Sequence, residues 1–480
     1  MKPQRSMSFN KHMLVLLNLP ALTLGRFQHL IILKNLIMKK TISLFILILI
    51  LLNSCSKKEP IIVSTNDYHA SVDKVIEVMI HDIFSPPVAS RVFVYPNIAA
   101  YEIMRLKHQD FNSLSGVLPE MKPIPKPKDT TDLNYEVAAL VAHMELSKKL
   151  IFSEDKIETF RDSLYIAWQK INASSFETSK SYGLEVAHTI GEWMDKDNYK
   201  QTRTMPKFSV FSDDESRWQP TPPAYMDGIE PHWNKIRPFA IDSASQFKPV
   251  PPPAFSMEED SDFYKELKEV YDISLEIDEK GDESEEVQIA RFWDCNPYVS
   301  ITRGHLMFAT KKITPGAHWI GITKIASRKS NFDMMKTIYA YTMTSIGIAD
   351  AFISCWDEKY RSNLVRPETL INKYFDDNWK PILQTPPFPE YTSGHSVVSG
   401  SASTVLTTIF GDNFQFDDDT EVPYGLPIRS YKSFNLAANE AAISRMYGGI
   451  HYRQACDVGL EQGRDLGNKV VQKLEVKKIN

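Results

Sequence analysis

Cysteine is nearly absent: the 480-residue chain holds four, too few to organise a fold through disulfides, and no C-x-x-C pair marks a zinc site. Nineteen glycines exclude a collagen-like repeat. No internal repeat of about 20–50 residues is present, and no segment alternates polar and apolar residues with the period of a strand. No cluster of Lys and Arg offers a nucleic-acid surface. Past Cys55 no apolar run reaches the about 20 residues that a membrane-spanning helix needs. What the chain does have is 43% hydrophobic and 24% charged residues, ample for a large buried core and excluding a disordered chain.

Charge is unevenly placed. Residues 1–54 hold seven of the 55 Lys and Arg and no Asp or Glu, leaving 48 basic against 60 acidic residues in the rest, a net of −12. A body that acidic is a poor nucleic-acid binder. Met38-Lys39-Lys40 is followed by an apolar run from Ile42 to Leu52, broken only by Ser43, and then by Asn53-Ser54-Cys55. A charged start, a short apolar stretch and a small residue before a cleavage point predict a secretory signal over residues 38–54. Met38 is then the expected start, residues 1–37 an upstream extension, and residues 55–65 a tether. The Leu52-Asn53-Ser54-Cys55 ending resembles a bacterial lipobox, which implies acylation of Cys55. The expected location is the periplasm or cell surface, held to a membrane by a lipid anchor, with an uncleaved N-terminal anchor as the alternative. Cys295, Cys355 and Cys456 remain, an odd number that cannot all pair internally.

Apolar spacing of three and four residues begins at Val72, Val75, Ile76, Met79, Ile80 and Ile83 and resumes after Pro86-Pro87. Further helical stretches are predicted near 132–151, 154–172 and 176–196, then at 258–275, 284–294, 331–365, 395–410, 436–447 and 451–476. Residues 117–131 read as an exposed linker. Residues 197–255 carry ten prolines, which regular helices do not tolerate, yet Trp218, Trp233 and Phe239 among them indicate packing. The predicted fold is all-α: a helical bundle over 66–196, a proline-rich irregular strap over 197–257, and a second bundle over 258–480 carrying the site.

Three C-terminal segments concentrate the chemistry. In Trp356-Asp-Glu-Lys359…Arg366-Pro367 the two cations stand seven apart, two turns of helix, which predicts that both project from one face. Pro367 sets Arg366 at or just past the helix end. In Pro389-Glu-Tyr-Thr392-Ser393-Gly394-His395 a Ser-Gly pair opening a helix offers a hydroxyl, a backbone N–H and the positive end of a helix dipole, an anion seat with His395 beside it. In Ser444-Arg445-Met-Tyr-Gly448-Gly449-Ile-His451 the glycines end a helix and turn the chain so that His451 reaches the space of Arg445. Taken singly, these read equally as a solvated charged face, a capped helix and a structural histidine. Together they assemble three cations, a hydroxyl, a backbone donor and two histidines, a set suited to a tetrahedral oxyanion.

The combination Lys-x6-Arg-Pro, Ser-Gly-His and Ser-Arg-x5-His resembles the signature of the vanadium-dependent haloperoxidase and type 2 phosphatidic acid phosphatase superfamily. The resemblance implies that Lys359, Arg366, Ser393, Gly394 and Arg445 bind the oxygens of vanadate or phosphate. It implies that His451 is the vanadium ligand, or the phosphate-accepting nucleophile, and that His395 is the general acid/base. Trp356 and Phe388 resemble positions on the halide side. Phe292-Trp293-Asp294, Thr314-Pro-Gly-Ala-His318-Trp319, Trp218-Gln-Pro-Thr-Pro-Pro and Pro231-His-Trp233 are similar to the bacterial haloperoxidase-related branch. Asp294 becomes a candidate partner for an active-site arginine, with a solvated loop position as the alternative. Two departures stand out. Thr392 replaces the usual Pro before Ser-Gly-His. The aspartate often found four residues after the last His is Ala455, with Asp457 two positions on, which puts the orientation and basicity of His451 in question. The acidic run Asp417-Asp418-Asp419 through Glu421 is expected to be a solvated loop rather than a calcium site.

Three functions follow from that resemblance. The first is an exported haloperoxidase holding vanadate and using hydrogen peroxide to oxidise halide. The second is an acid phosphatase acting on a phosphate ester through phospho-His451. The third is a non-catalytic phosphate-binding lipoprotein, against which the complete set of buried charges argues.

Overall fold

In the computed structural model the described residues are 32–42, 59–297, 299–303, 306–309 and 312–479. The chain divides into two compact units, Met1–Glu59 and Pro60–Asn480. In the first, residues 32–42 are helical; the apolar run from Ser43 onward and Cys55 lie outside the described residues. Among the described residues no helix is long and apolar enough to cross a membrane.

The second unit is helical. Its N-terminal half comprises α1 (Thr65–His81), α2 (Pro86–Met104), α3 (Tyr135–Leu150) and α4 (Glu154–Met194). Ser64 and Asp67 close a reciprocal capping box at the start of α1, and Pro86-Pro87 occupy the first turn of α2, where their missing N–H groups cost nothing. α4 is bent at Asn172, which leaves helical geometry and accepts from the Ser175 amide as an internal cap. The two stretches read separately from sequence, 154–172 and 176–196, are thus two helical segments that meet at the kink. The 117–131 segment is not simply exposed, because Leu118, Met121 and Ile124 are inserted into the core.

The C-terminal half comprises α5 (Asp262–Lys280), α6 (Glu285–Phe292), α7 (Pro315–Lys329), α8 (Met334–Ser362), α9 (Pro367–Tyr374), α10 (Gly394–Phe410), α11 (Phe434–Tyr447) and α12 (Arg453–Lys473). The sequence periodicity did not predict α7. The helix is capped by Thr314 and buried without interruption from Pro315 to Thr323, so it carries no amphipathic stripe to detect. The all-α fold class holds, with little strand beside the helices. Two short antiparallel hairpins are present, β1 (Ser300–Arg303) with β2 (Leu306–Ala309), and β3 (Phe416–Asp418) with β4 (Arg429–Tyr431). Each strand has three or four residues, too few for a period of two to stand out. One continuous apolar core runs through both helical halves.

Two arrangements position the site. The first is a glycine seam: Gly459, Gly463 and Gly467 recur every four residues on α12 and face α10. A Cβ at Gly463 would lie 2.1 Å from the Val397 carbonyl oxygen, and one at Gly467 2.9 Å from that of Ser401. Reciprocally, a Cβ at Gly400 would lie 2.5 Å from the Leu460 oxygen. The two backbones therefore touch, and the Ser393 amide donates to the Ala455 carbonyl at 3.0 Å. The second is the strap. The amides of Phe239, Ala240 and Ile241 all donate to the buried Asp350 carboxylate on α8 at 2.6–2.9 Å. The Trp218 amide donates to the Asn363 carbonyl and the Val365 amide to the Ser216 carbonyl. Those bonds brace the turn between α8 and α9, where Arg366 sits.

Candidate active site

α8 ends at Ser362 with Asn363 in the left-handed conformation as its cap. Lys359 therefore stands in the last turn of α8, and Arg366 is the N-cap of α9 rather than a second residue on the same helical face. This corrects the two-turn argument: the turn, not the helix, aims the guanidinium. Arg366 is fully buried. Its Nε donates to the Phe388 carbonyl at 3.0 Å and Nη1 to the Ile450 carbonyl at 2.7 Å, while Nη2 has no partner.

Nη1 of Arg366 also stands 3.1 Å from His451 Nε2. A guanidinium only donates, so Nε2 is the accepting nitrogen and the imidazole proton resides on Nδ1. That proton is donated to Glu390 Oε1 at 2.7 Å. The same oxygen accepts from the Tyr452 amide at 3.0 Å, which leaves Glu390 Oε2 unpartnered. The carboxylate missing after His451 is thus supplied from the residue five before His395. Burial pushes the Glu390 carboxyl up to about 7 against the fields of Arg366 and Lys359. Burial, with Arg366, Lys359 and Arg445 close by, holds His451 well below the ordinary histidine range. A neutral, oriented imidazole results, with its Nε2 lone pair turned toward Arg366.

His395 opens α10, and its Nε2 is buried without a partner. Its other side is set by the Trp293 carbonyl, which also accepts Arg445 Nη1 at 2.8 Å. Burial and the Arg445 charge hold His395 well below its ordinary value. Arg445 is buried and its Nε is unpartnered. Trp356, Phe388, Gly394, His395, Arg445 and His451 line one narrow cavity together with Cys295 and Asn296. The Trp356 and Phe388 rings pack together on its wall, 5.0 Å between centroids.

Lys359 and Ser393 are buried beside this cavity. Lys359 Nζ donates to the carbonyls of Pro389, Glu390 and Thr392 at 2.6–3.1 Å, and burial lowers it to about 8. Ser393 Oγ caps the Ser396 amide at 3.4 Å. Thr392, in the place of the usual Pro, donates to Gln462 Oε1 at 2.7 Å and ties the start of α10 to α12. Asp294 is buried rather than solvated; it pairs with Lys312, and its charge acts on Arg445. The acidic run is solvated only in part, with Asp417 and Asp419 exposed. Asp418 is wholly buried against His318, and Glu421 is buried beside it.

Buried donors left without acceptors, arranged around a lone-pair nitrogen, define a protein built to hold an oxyanion. Comparison with known proteins agrees. Residues 339–477 match the family described as the VCPO second helical-bundle domain. A solved structure of the first bacterial vanadium-dependent iodoperoxidase is 68% identical, with a TM-score of 0.85, covering 88% of this chain and 100% of that one. A bacterial vanadium-dependent chloroperoxidase in its holo form shares the fold at 15% identity and a TM-score of 0.58, covering 82% of this chain and 95% of its own. A vanadium-dependent bromoperoxidase from Corallina officinalis is 37% identical over 78 residues, which span only 13% of its length and 14% of this chain. The chain belongs to the vanadium-dependent haloperoxidase superfamily, and it is a haloperoxidase-type oxidoreductase.

Proposed function

We propose that this protein binds vanadate in the cavity between α8, α10 and α11 and uses hydrogen peroxide to oxidise halide, iodide foremost. The observation that carries the reading is the set of buried, unpartnered polar atoms, Arg366 Nη2, Arg445 Nε and His395 Nε2, gathered near the accepting nitrogen of His451. A buried donor without an acceptor costs about 1–3 kcal/mol, and an oxyanion satisfies the two guanidinium donors at once. In this reading His451 Nε2 is the metal ligand, and Arg366, Arg445, Lys359, Ser393 and the Gly394 amide surround the oxygens. Bound vanadate supplies Lewis-acid activation of hydrogen peroxide toward halide.

The protein's own part is orientation and proton handling. Glu390 holds the His451 proton on Nδ1, so Nε2 stays available. Nε2 of His395 takes and returns protons at the mouth of the cavity, its ring fixed by the Trp293 carbonyl. Trp356 and Phe388 form an apolar wall that suits a weakly hydrated halide.

The test is halogenation by the purified protein with vanadate, peroxide and iodide or bromide, run beside phosphate-ester hydrolysis without vanadate. Vanadate-dependent halogenation supports the reading; hydrolysis alone would replace it with the phosphatase, and neither activity with the non-catalytic phosphate-binding protein. Export and acylation of Cys55 belong to the same proposal and rest on the Leu-Asn-Ser-Cys pattern. Radiolabelled fatty acid incorporated by the native protein and lost in Cys55→Ala is the expected outcome.

A further inference from the structure

Behind the wall of the cavity lies a second cluster of chemistry-bearing groups. Cys295, His318 and Glu421 are all buried, and their ligand-type atoms lie within 4.8 Å of one another. His318 Nδ1 is 3.4 Å from Cys295 Sγ and 3.4 Å from Glu421 Oε1, while His318 Nε2 is 2.9 Å from Asp418 Oδ2. Glu421 Oε1 is buried without a hydrogen-bond partner.

We propose that Cys295, His318 and Glu421 bind a divalent transition metal of the zinc class, at a site that adjoins the vanadate pocket through Cys295. Asp418 is placed to accept the Nε2 proton of His318, and Nδ1 stands between the sulfur and the carboxylate oxygen, where a metal would take the place of the proton it carries. A carboxylate fixing the tautomer of a ligating histidine is the usual support of a zinc site. With Zn–S of about 2.3 Å and Zn–N or Zn–O of about 2.0–2.2 Å, a tetrahedral ion spaces its ligand atoms by roughly 3.3–3.6 Å. The two distances from His318 Nδ1 match that spacing. Charge balance points the same way: two buried carboxylates face a single imidazole, and the nearest lysine, Lys312, is engaged by Asp294. Binding would expel the Cys295 thiol proton and the Nδ1 proton of His318 and form the metal–thiolate and metal–imidazole bonds with no change of oxidation state. Thr420, Pro423 and Tyr424, on either side of Glu421, line a neighbouring cavity of about 590 Å³.

The ion would act as a clamp. Cys295 lies two residues beyond Trp293, whose carbonyl holds Arg445 and His395, and the Trp293 ring stacks on His318 at 4.4 Å. A metal joining Cys295 to α7 and to the segment after β3 would fix that carbonyl.

The proposal does not depend on vanadate, so its test leaves vanadate out. Chelator-treated full-length protein is titrated with Co²⁺. One Co²⁺ per chain and a thiolate-to-cobalt charge-transfer band are expected, the band disappearing in Cys295→Ser. As that variant removes a buried group, Glu421→Gln, which keeps the shape, provides a second reading: affinity should fall roughly tenfold or more, and added Zn²⁺ should raise Tm in the native protein but not in this variant. Absence of the band, its persistence in Cys295→Ser, or an equal Zn²⁺ shift in Glu421→Gln would overturn the site.

Discussion

Glu390 Oε1 accepts the Nδ1 proton of His451 at 2.7 Å, across 61 positions of sequence. This bond does for His451 what an aspartate following it would otherwise do. The Gln variant keeps an acceptor there but removes the charge that makes Nε2 a stronger donor to a metal. Glu390→Gln is therefore expected to weaken vanadate affinity or turnover by roughly 10–100-fold. Glu390→Ala should do at least as much, and His451→Ala should abolish activity. Vanadate titration with iodide oxidation as readout checks all three; native-like Glu390→Gln would remove the orienting role.

His395 is assigned proton transfer rather than anion binding. His395→Ala should lower kcat by about 10²–10⁴ while the vanadate Kd changes much less. A Kd that worsens as far as kcat falls would reassign it to binding.

Lys359 is held down to about 8 by burial. Its cation is present below that pH and is lost above it, so its contribution to oxyanion affinity declines as pH rises through about 8. A bound anion favours the charged form and moves the midpoint upward. The affinity ratio of native protein to Lys359→Gln should fall as pH rises, a comparison in which the titration of vanadate itself cancels. A ratio constant from about pH 7 to about pH 10 would show that Lys359 does not act through its charge.

The glycine seam is expected to limit stability. Gly463→Ala places a methyl 2.1 Å from a backbone oxygen that cannot move aside, so the α10–α12 contact must open. A cost of about 1–3 kcal/mol or more is expected, read as a fall in denaturation midpoint. Vanadate affinity should weaken too, since His395 and His451 are carried by the two sides of that contact. An unchanged midpoint would mean that the helices are less closely apposed than described.

Much of the helical architecture was legible because exposed helices carry a periodic stripe; α7 was not, because burial on all sides erases it. The zinc-class cluster escaped for a different reason. Its groups, Cys295, His318 and Glu421, fall on three separate segments with no motif spacing, and the acidic run read as solvated because exposure cannot be inferred from charge alone.

By itself the sequence determined the inventory: two histidines, two arginines, a lysine and a Ser-Gly helix start, in an order that points to one superfamily. Chemistry of that kind is a property of residue type, and short-range spacing preserves it. The tertiary structure alone decided which carboxylate orients His451, which guanidinium nitrogens remain unpartnered, and that Arg366 is aimed by a turn. Each of those depends on groups far apart in the chain meeting within hydrogen-bond distance, and such meetings are set by how helices pack.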